Sequence, residues 1–410
     1  MRAAWWLIAI VGMPASAQDV DGGSALELNA AYTGDFRRNT TGGMAVGTAY
    51  ADEIDLGLTW STDRLFPGAK ITSNLAVMYL GGDAISGEFV GDLQGINNIE
   101  APSGWRLYES WVQMSFGESS TSLRAGVLDL NAEFDTPVTQ GLFIGSPFGI
   151  GTDLSQTGVR GPVVWPTTGL GMRVAGSAGE ALQWRLGIYD GAPGAEDDDF
   201  TSARVSSDEG ALLIGELEYS SERIHKAALG SWAYTAKFER IDAALRPAAE
   251  PENGNYGLYA TFDMALGSAG PVDFDAALRA GTAPAEYNAV DRYCGAAVTA
   301  THLWQGRPDD SVGLGVAWAH VGTPYRAVTD LDGTPTMSAE TLIELAYRAN
   351  LTGWLALVPN LQYVADPGAL RDPDDAWVVG LRFELAHEHA WQLTAQRDLP
   401  ADGTYARRQR

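Results

Sequence analysis

The sequence contains a single cysteine, Cys294, so the chain can form neither an intramolecular disulfide nor a cysteine-based metal cluster. It also lacks long hydrophobic runs. After the first 17 residues, no apolar stretch approaches the roughly 18 residues that a membrane-spanning helix requires. These absences exclude a disulfide-stapled scaffold and a helical membrane protein. A chain of 410 residues can still bury ample surface without cross-links.

Positive charge is scarce as well. The chain has 27 Lys and Arg residues against 52 Asp and Glu residues, a net charge of −25, which argues against nucleic acid as a partner. The five histidines show no metal-ligand spacing, and the chain has no Gly-x-Ser-x-Gly elbow and no phosphate-binding loop. The segment that begins at Asp330 breaks the calcium-loop pattern because Gly333 comes two residues early. The sequence therefore predicts no enzyme, no metal site and no cofactor.

The first residues predict export. Arg2 is followed by the apolar run Ala3–Met13 and then by Ala15-Ser16-Ala17, which is the pattern of a secretory signal peptide cleaved after Ala17. The run is too short to cross a bilayer as a helix, which disfavours an uncleaved anchor. We therefore expect residues 1–17 to be removed and the rest of the chain to reach an oxidising compartment.

The dominant pattern in the chain is an alternation of apolar and polar residues with a period of two, which is typical of strands. In residues 376–386, for example, Trp377, Val379 and Leu381 alternate with less apolar neighbours. Sixteen such segments are separated by turns rich in Gly, Pro, Asp and Asn: 25–36, 52–60, 69–80, 105–116, 122–130, 169–175, 182–189, 211–220, 225–236, 255–266, 273–283, 294–304, 311–321, 341–351, 355–365 and 376–386.

An even number of such strands behind a signal peptide predicts an all-β fold, a 16-stranded antiparallel transmembrane β-barrel of the bacterial outer membrane. A bilayer cannot satisfy open sheet edges, so the sheet must close on itself. Aromatic residues recur at strand ends, where interfacial girdles are expected: Trp60, Tyr79, Trp184, Tyr363 and Trp377. We place the barrel at residues 18–386 and a polar C-terminal tail at residues 387–410.

The longest predicted loop, residues 131–168, lies between strands 122–130 and 169–175. It is rich in Gly and Pro, yet it carries four large aromatic residues: Phe134, Phe143, Phe148 and Trp165. Disordered linkers are poor in aromatic residues, whereas long ordered loops usually have a function. We therefore predict that this loop folds into the mouth of the barrel and narrows it.

Several pieces of sequence occur in the order found in one known family. They are Arg106-Leu107-Tyr108-Glu109 with Trp111, GVLDLNAEFD at 126–135, Phe143 with SPFG at 146–149, Trp165-Pro166 with 169–174, LGIYDGAPG at 186–194, GRPDDSVGLG at 306–315, Glu340 and Glu344 with Tyr347, PNLQYVADPG at 359–368 and VVGLRFE at 378–384. On these residues the chain resembles the carbohydrate-selective outer-membrane porins, the OprB family. The resemblance implies a 16-stranded barrel whose inward-folded loops form a narrow, sugar-preferring channel, with passive diffusion, no catalysis and trimeric assembly.

The chain departs from the family pattern in two places. Barrels of this kind usually end on an aromatic residue, whereas here a polar tail follows Ala386. Either the tail is periplasmic and Phe383 or Trp391 takes that role, or assembly differs. The middle region, residues 195–300, matches the family pattern poorly. The loops of that region are therefore not predicted in detail.

A sugar-selective neck needs hydrogen-bonding groups and apolar ring faces along the pore lining. The alternation directs Glu109, Gln113, Arg124, Arg173 and Arg185 toward the lumen, and it places Arg106 and Glu109 on opposite faces of the fourth strand. We expect Arg106, Glu109 and Arg124 to act as a group and Arg106→Ala to widen or depolarise the constriction. The full set of candidate substrate-binding residues is Arg106, Glu109, Trp111, Gln113, Arg124, Asp129, Asn131, Phe143, Trp165 and Arg173.

Each candidate also has a purely structural interpretation. A charged side chain on a lumen face most often belongs to a ladder of ion pairs along the wall. Phe143 and Trp165 can anchor the loop against the wall as readily as they can contact a sugar. Asp129 and Asn131 can simply hold a turn through hydrogen bonds to the backbone.

The sequence leaves other functions open. Inward-facing arginines would also suit a general or anion-preferring porin, and a barrel with a closed lumen would serve adhesion through its acidic outer loops. An outer-membrane lipase would need a lipid-facing Ser/His pair, which no predicted strand supplies in phase. The expected partners are sugars as permeant solutes, outer-membrane lipid and lipopolysaccharide, and further copies of the chain in a homotrimer.

Overall fold

Sixteen strands form a closed barrel, in which each strand pairs antiparallel with its neighbours in the chain and β1 pairs with β16. The fold is seen in a computed structural model that describes residues 24–117, 120–194, 209–246 and 250–393. In chain order the strands are β1 (Ser24–Thr41), β2 (Gly47–Phe66), β3 (Ala69–Gly82), β4 (Gly104–Phe116), β5 (Thr121–Leu128), β6 (Gly169–Ala178), β7 (Leu182–Asp190), β8 (Ala211–Tyr219), β9 (Ile224–Tyr234), β10 (Tyr256–Ala269), β11 (Val272–Thr282), β12 (Val290–Thr301), β13 (Ser311–Val321), β14 (Ala339–Thr352), β15 (Leu355–Ala365) and β16 (Ala376–Leu393). The predicted 16-stranded antiparallel barrel is confirmed.

In the part of the chain that the structure describes, two short α-helices lie in the connections, α1 (Thr152–Ser155) and α2 (Thr323–Leu331). Among the described residues, no helix combines the length and the apolar character needed to cross a membrane. The predicted signal peptide, residues 1–17, lies outside the described residues.

The strands carry apolar side chains on their outer face and polar or small ones on their inner face. The outward leucines are exposed along the whole circumference: Leu28, Leu56, Leu75, Leu186, Leu229, Leu258, Leu278, Leu314, Leu345 and Leu381. Their neighbours in sequence point inward, as Gly313 and Gly315 do on either side of Leu314. An apolar belt around a polar interior is the arrangement expected of an outer-membrane barrel.

The two rims of the barrel differ. Ser24 pairs with Leu393, so the first and last strands end at the same rim. The connections on this rim are short, as between β6 and β7 at residues 179–181. The opposite rim carries long loops, among them residues 83–103, 129–168 and 322–338. Short turns on the periplasmic side and longer loops outside are typical of these barrels.

The last strand is longer than predicted. His387, His389 and Trp391 pair with Ala30, Leu28 and Leu26 of β1, and the strand ends at Leu393. The predicted boundary at Ala386 is therefore wrong, because the polar residues that follow it interrupt the apolar alternation without ending the strand. Trp391 lies within the last strand, and residues 394–410 of the predicted tail lie outside the described residues.

A β-bulge in β4 changes the direction of two candidate residues. Glu109 pairs with Ala76 of β3, but Arg106 pairs with Met78, and the register shifts between them. Ala76 and Met78 lie on one face of β3, so Arg106 and Glu109 both lie on the inner face of β4. The prediction that they occupy opposite faces is wrong, because the extra residue of a bulge reverses the alternation beyond it.

Two of the long loops fold into the interior of the barrel and pack on its wall. Residues from loops 83–103 and 129–168 form one buried cluster with small wall residues of β11–β16: Ile85, Val90, Ile96, Leu142, Phe143, Ile144 and Phe148. A second buried cluster joins the loop residues Leu130, Phe134, Leu154 and Val163 to aromatic side chains of β7, β9 and β10: Tyr189, Trp232, Tyr234 and Tyr259. The core of this protein therefore lies between the inner wall and its loops.

Candidate functional site

A cavity of about 300 Å³ opens on the inner wall beside β4–β7, and loop 129–168 forms one of its sides. This volume lies at the lower end of the range for small-molecule sites. Most of its lining is charged or polar: Glu109, Gln113, Ser122, Arg124, Ala132, Glu133, Thr136, Arg173, Ala175 and Arg185. Four of the predicted candidates, Glu109, Gln113, Arg124 and Arg173, are thus brought together around one space. We call this space the β4–β7 cavity.

Two arginines from neighbouring strands dominate the cavity. Arg124 of β5 and Arg173 of β6 are direct cross-strand partners, an unfavourable arrangement for like charges. Glu133 of the loop offsets it: its Oε1 lies 2.7 Å from Nη1 of Arg124 and accepts a 2.6 Å hydrogen bond from Nη2 of Arg173. Gln113 Oε1 accepts from both guanidinium groups, at 3.0 and 2.9 Å. The result is a network in which donors and acceptors alternate.

Trp111 supports this network from the wall. The guanidinium carbon of Arg124 lies 3.8 Å from the centroid of the Trp111 ring, a cation–π contact. The indole nitrogen of Trp111 donates to Glu109 Oε2 at 3.1 Å. Because Trp111 is only 5% exposed and Arg124 covers its ring, it positions the arginine and offers no open ring face to a solute.

Arg185 of β7 continues the row of arginines but is paired differently. Its Nη1 lies 3.0 Å from Glu216 Oε1 and 2.7 Å from Glu218 Oε2, both on β8. Lys226 of β9 also reaches Glu216, at 3.0 Å. Arg185 therefore belongs to a wall ladder in which carboxylates already match the positive charges.

Asp129 and Asn131 shape the start of the loop. The Asp129 carboxylate accepts hydrogen bonds from the Tyr108 hydroxyl at 2.6 Å and from the Asn131 amide at 2.7 Å. Burial raises the pKa of the Asp129 carboxyl to about 6. The Asn131 side chain donates to the carbonyls of Phe134, Asp135 and Gly149. Both residues are buried, and their side chains hold the start of the loop together and attach it to β4.

The two aromatic candidates lie apart from this cavity. Phe143 is 4% exposed and packs on Phe148, with ring centroids 4.7 Å apart, against the inner wall. Trp165 is half-buried near the return of the loop, where its indole nitrogen donates to Glu53 of β2 at 3.1 Å. Phe143 thus has the wall-anchoring position, whereas Trp165 keeps an accessible surface.

Arg106 lies outside the lining of the cavity. Its Nη2 donates to the carbonyl of Pro102 at 2.7 Å, at the rim where β4 leaves its loop. The expected group of Arg106, Glu109 and Arg124 is therefore not assembled around one space. The group that the structure does assemble contains Arg173 and Glu133 in place of Arg106.

Sequence reasoning missed several residues that build the site. Glu133 stands within the GVLDLNAEFD stretch, but nothing in the alternation shows that it turns back to two wall arginines. Three inward carboxylates also hold the backbone of the loop: Glu216 accepts from Asp135 N at 2.9 Å, Asp263 from Thr139 N at 2.7 Å and Glu344 from Ile144 N at 2.7 Å. Glu344 stands among the pieces that carry the family resemblance, whereas Glu216 and Asp263 are marked in the sequence only as acidic residues on the inner face of a strand.

The arrangement offers several hydrogen-bonding groups to a polar solute. Over residues 24–117, 120–194, 209–246 and 250–393, no three His, Cys, Asp or Glu side chains are grouped so as to hold a metal ion. The charged groups of the cavity are engaged with one another at hydrogen-bond distance, and they offer both donors and acceptors to a hydroxylated molecule.

Comparisons with known proteins agree with this geometry. Porin B of Pseudomonas aeruginosa is 24% identical over 394 residues, which cover 86% of each chain. The putative porin QuiX of Acinetobacter baylyi is 21% identical over 372 residues, 82% of each chain. The fold is shared with Pseudomonas putida OprB in its high-pH structure, with a TM-score of 0.76 and 20% identity over 90% of this chain and 95% of that one.

The family model that matches this chain is described as the carbohydrate-selective porin, OprB family, and it covers residues 45–386. The match spans most of the barrel, including every strand that lines the β4–β7 cavity. A sugar channel, rather than an adhesion barrel with a closed lumen, is the function that goes with this family. The chain therefore belongs to the OprB family of carbohydrate-selective porins, β-barrel channels of the bacterial outer membrane.

Proposed function

We propose that neutral monosaccharides and other small sugars diffuse passively through this barrel and are selected at the β4–β7 cavity. The observation that carries the proposal is the pairing of charges there: Arg124 and Arg173 share Glu133 and Gln113. A sugar hydroxyl can donate to a carboxylate and accept from a guanidinium, so it can replace these bonds as it passes. A small ion meets positive and negative groups together and therefore binds less favourably than a sugar.

In this proposal Trp165 supplies the apolar surface against which a sugar ring packs. Its ring is half-buried on the return of the loop, and its bond to Glu53 fixes its orientation. A fixed aromatic face can pack against the apolar face of a sugar ring. Phe143 has no such role in the proposal, because it is buried against the wall.

Liposome swelling with purified protein tests this function. The solutes are a pentose, a hexose, a trisaccharide and a zwitterionic amino acid with a mass near that of the hexose. We expect fast swelling with the two monosaccharides and slow swelling with the amino acid, because the amino acid brings two full charges to a network already paired. Equal rates for all solutes of one size would show a general porin and reduce the cavity residues to wall lining.

An anion-preferring channel is the second candidate, and one observation favours it. Arg124, Arg173 and Arg185 lie on three consecutive strands and face the same space. Each has a carboxylate partner, which is why we rank this candidate lower. A reversal potential in a salt gradient separates the two, since an anion channel would follow the chloride gradient.

We also propose contacts of the barrel with its surroundings. Arg38 on β1 and Arg292 on β12 are exposed near the rim of long loops, and Arg292 lies beside His320, whose ring contacts Trp318. Cationic and aromatic groups at this level suit the phosphates and interface of lipopolysaccharide. A homotrimer, which the family resemblance implies, is proposed as the assembled form. Chemical cross-linking in the native membrane would yield a three-chain product if it is correct.

A further inference from the structure

Loop 129–168 crosses the barrel from one side to the other. It leaves β5 and returns to β6, whereas its midpoint packs on β13 and β14, which are eight strands away in a closed sheet of 16 strands. This is the opposite side of the lumen. The position of the midpoint on the far wall therefore decides how much of the lumen the loop leaves open.

Apolar packing alone does not fix that position. Leu142, Phe143 and Phe148 lie over Gly313 and Gly315 of β13, where an added Cβ would come within 2.9 Å of their side chains. Because these wall residues are glycines, the aromatic rings pack on a flat surface. Apolar contact is non-directional, so packing on a flat surface does not oppose sideways movement of the loop midpoint.

Polar contacts with the wall supply the missing direction at the midpoint. Tyr293 of β12 donates from its hydroxyl to the carbonyl of Pro147 at 2.8 Å, and Glu344 of β14 makes the second contact. Its two carboxylate oxygens accept from two successive backbone amides of the loop, Ile144 N at 2.7 Å and Gly145 N at 2.8 Å. Asn360 and Gln362 of β15 donate to the same carboxylate at 2.5 and 3.0 Å and hold it against the wall. The Glu344 side chain has no exposed surface.

Glu340, four residues before Glu344 on the same face of β14, does the same for the second inward loop. It accepts from Leu93 N at 2.6 Å and Gln94 N at 3.0 Å in loop 83–103. It also accepts from Gly368 N at 2.7 Å, in the connection between β15 and β16. Two segments of the rim of long loops thus meet at one carboxylate, through three backbone amides.

The two inward loops are also joined to each other. Ser146 N donates to the carbonyl of Gly95 at 2.9 Å, and Asn98 N donates to the carbonyl of Ile144 at 2.9 Å. A shift of either loop would therefore pull the other. Glu340 and Glu344 consequently act on one joined body rather than on two separate loops.

We infer that Glu340 and Glu344 are positioning residues of the channel: they hold the joined inward loops on the wall opposite the β4–β7 cavity and thereby set the width of the neck. They act through backbone amides and do not themselves contact the permeant sugar. The inference concerns the far wall only, so it stands or falls separately from the selectivity proposed for Arg124, Arg173 and Glu133.

The test disrupts the contact between Glu344 and the loop, first by changing the carboxylate and then by changing the loop backbone. Glu344→Gln keeps the size of the side chain but places an NH2 group where one of two backbone amides needs an acceptor. Gly145→Ala leaves every charge in place, but its Cβ would come within 3.0 Å of both the Glu344 carboxylate and Leu342. Each variant is reconstituted in planar bilayers, and its dwell time in each conductance level is measured in KCl. Liposome swelling gives the ratio of trisaccharide to monosaccharide entry.

We expect both variants to spend at least about tenfold more time than the parent in a higher conductance level. The loss of one charge-assisted hydrogen bond corresponds to a factor of about that size. The trisaccharide ratio should rise in parallel. In the double variant the two effects should be far less than additive, because both changes break one contact. Heat-modifiable gel mobility verifies that each barrel is folded.

Asp310→Asn is the matched control. Asp310 is as deeply buried and accepts a backbone amide, Asn350 N at 3.0 Å, but it lies in the short turn between β12 and β13. This variant should keep the parent's conductance levels and solute ratio. The inference is overturned if folded Glu344→Gln or Gly145→Ala channels keep the parent's dwell times and ratio, or if Asp310→Asn changes them equally. Should Glu344→Gln fail to fold, Gly145→Ala alone decides.

Discussion

Glu133→Gln is the most informative single substitution in this channel. Glu133 is the loop carboxylate that Arg124 and Arg173 share, and the three side chains are only 14%, 5% and 15% exposed for Arg124, Arg173 and Glu133. Glutamine retains an oxygen that can accept from either guanidinium, so the network keeps its shape while it loses one negative charge. Two directly opposed arginines are then left without their shared counter-ion in the cavity.

The size of the effect follows from Coulomb's law. An ion that passes roughly 8 Å from the changed charge experiences about 0.5 kcal/mol at the permittivity of water. The change acts with opposite sign on anions and cations, so their permeability ratio shifts by about 1 kcal/mol, which is about fivefold. Physiological salt, with a Debye length of about 8 Å, reduces the shift to about twofold.

The assay is the reversal potential of the purified channel in a KCl gradient at low and at physiological ionic strength. The variant should shift toward chloride, and the shift should be larger at low salt. Glu180→Gln is the control, because it removes the same charge from an exposed position in the β6–β7 turn. A reversal potential that is the same in Glu133→Gln and in the parent at low salt would refute the assignment of the β4–β7 cavity to the permeation path.

Three further predictions concern other parts of the molecule. Gly315→Leu should destabilise the folded barrel by about 1–3 kcal/mol through overpacking against the loop, measured by thermal unfolding. The same change at Gly353, where an added Cβ would meet no other residue within 4 Å, should not. Burial raises the pKa of Asp129 to about 6, so its ionisation opposes folding and stability should fall as the pH rises from about 4 to about 6. Asp129→Asn should remove that part of the pH dependence, and an unchanged slope of the melting temperature would contradict this. Trp165→Ala should slow hexose swelling, whereas Trp165→Phe, which loses the bond to Glu53 but keeps an aromatic face, should slow it less. Equal rates in the two variants would show that the ring does not contact sugar.

The strands were predictable because the membrane imposes alternation on every strand that crosses it. Where that constraint relaxes, prediction failed. Residues 387–393 continue β16 although His387, Glu388 and His389 interrupt the apolar pattern, because pairing with β1 needs only backbone groups. The bulge in β4 likewise reverses the phase of Arg106 without any glycine or proline at the shifted positions.

The site was predictable in part, for a related reason. Gln113, Arg124 and Arg173 lie on strands whose inward phase is fixed, so the sequence could bring them to one wall. Glu133 comes from a loop whose path depends on the far wall, chiefly on Gly313 and on carboxylates that bind backbone amides. Backbone amides are the same in every residue but proline, so these bonds leave almost no pattern in the loop itself.

The path of loop 129–168 has a consequence for the order of events during assembly. Its anchoring points lie on strands from β8 to β14, and the ring of strands is complete only when β16, the last to be made, meets β1. Contacts between such distant parts of a chain form slowly. The wall residues that anchor the loop are consequently not all in place until the barrel has closed. We therefore expect a newly closed barrel to conduct before it discriminates between solutes, and we expect the later docking of the loop to be seen as a downward step in current.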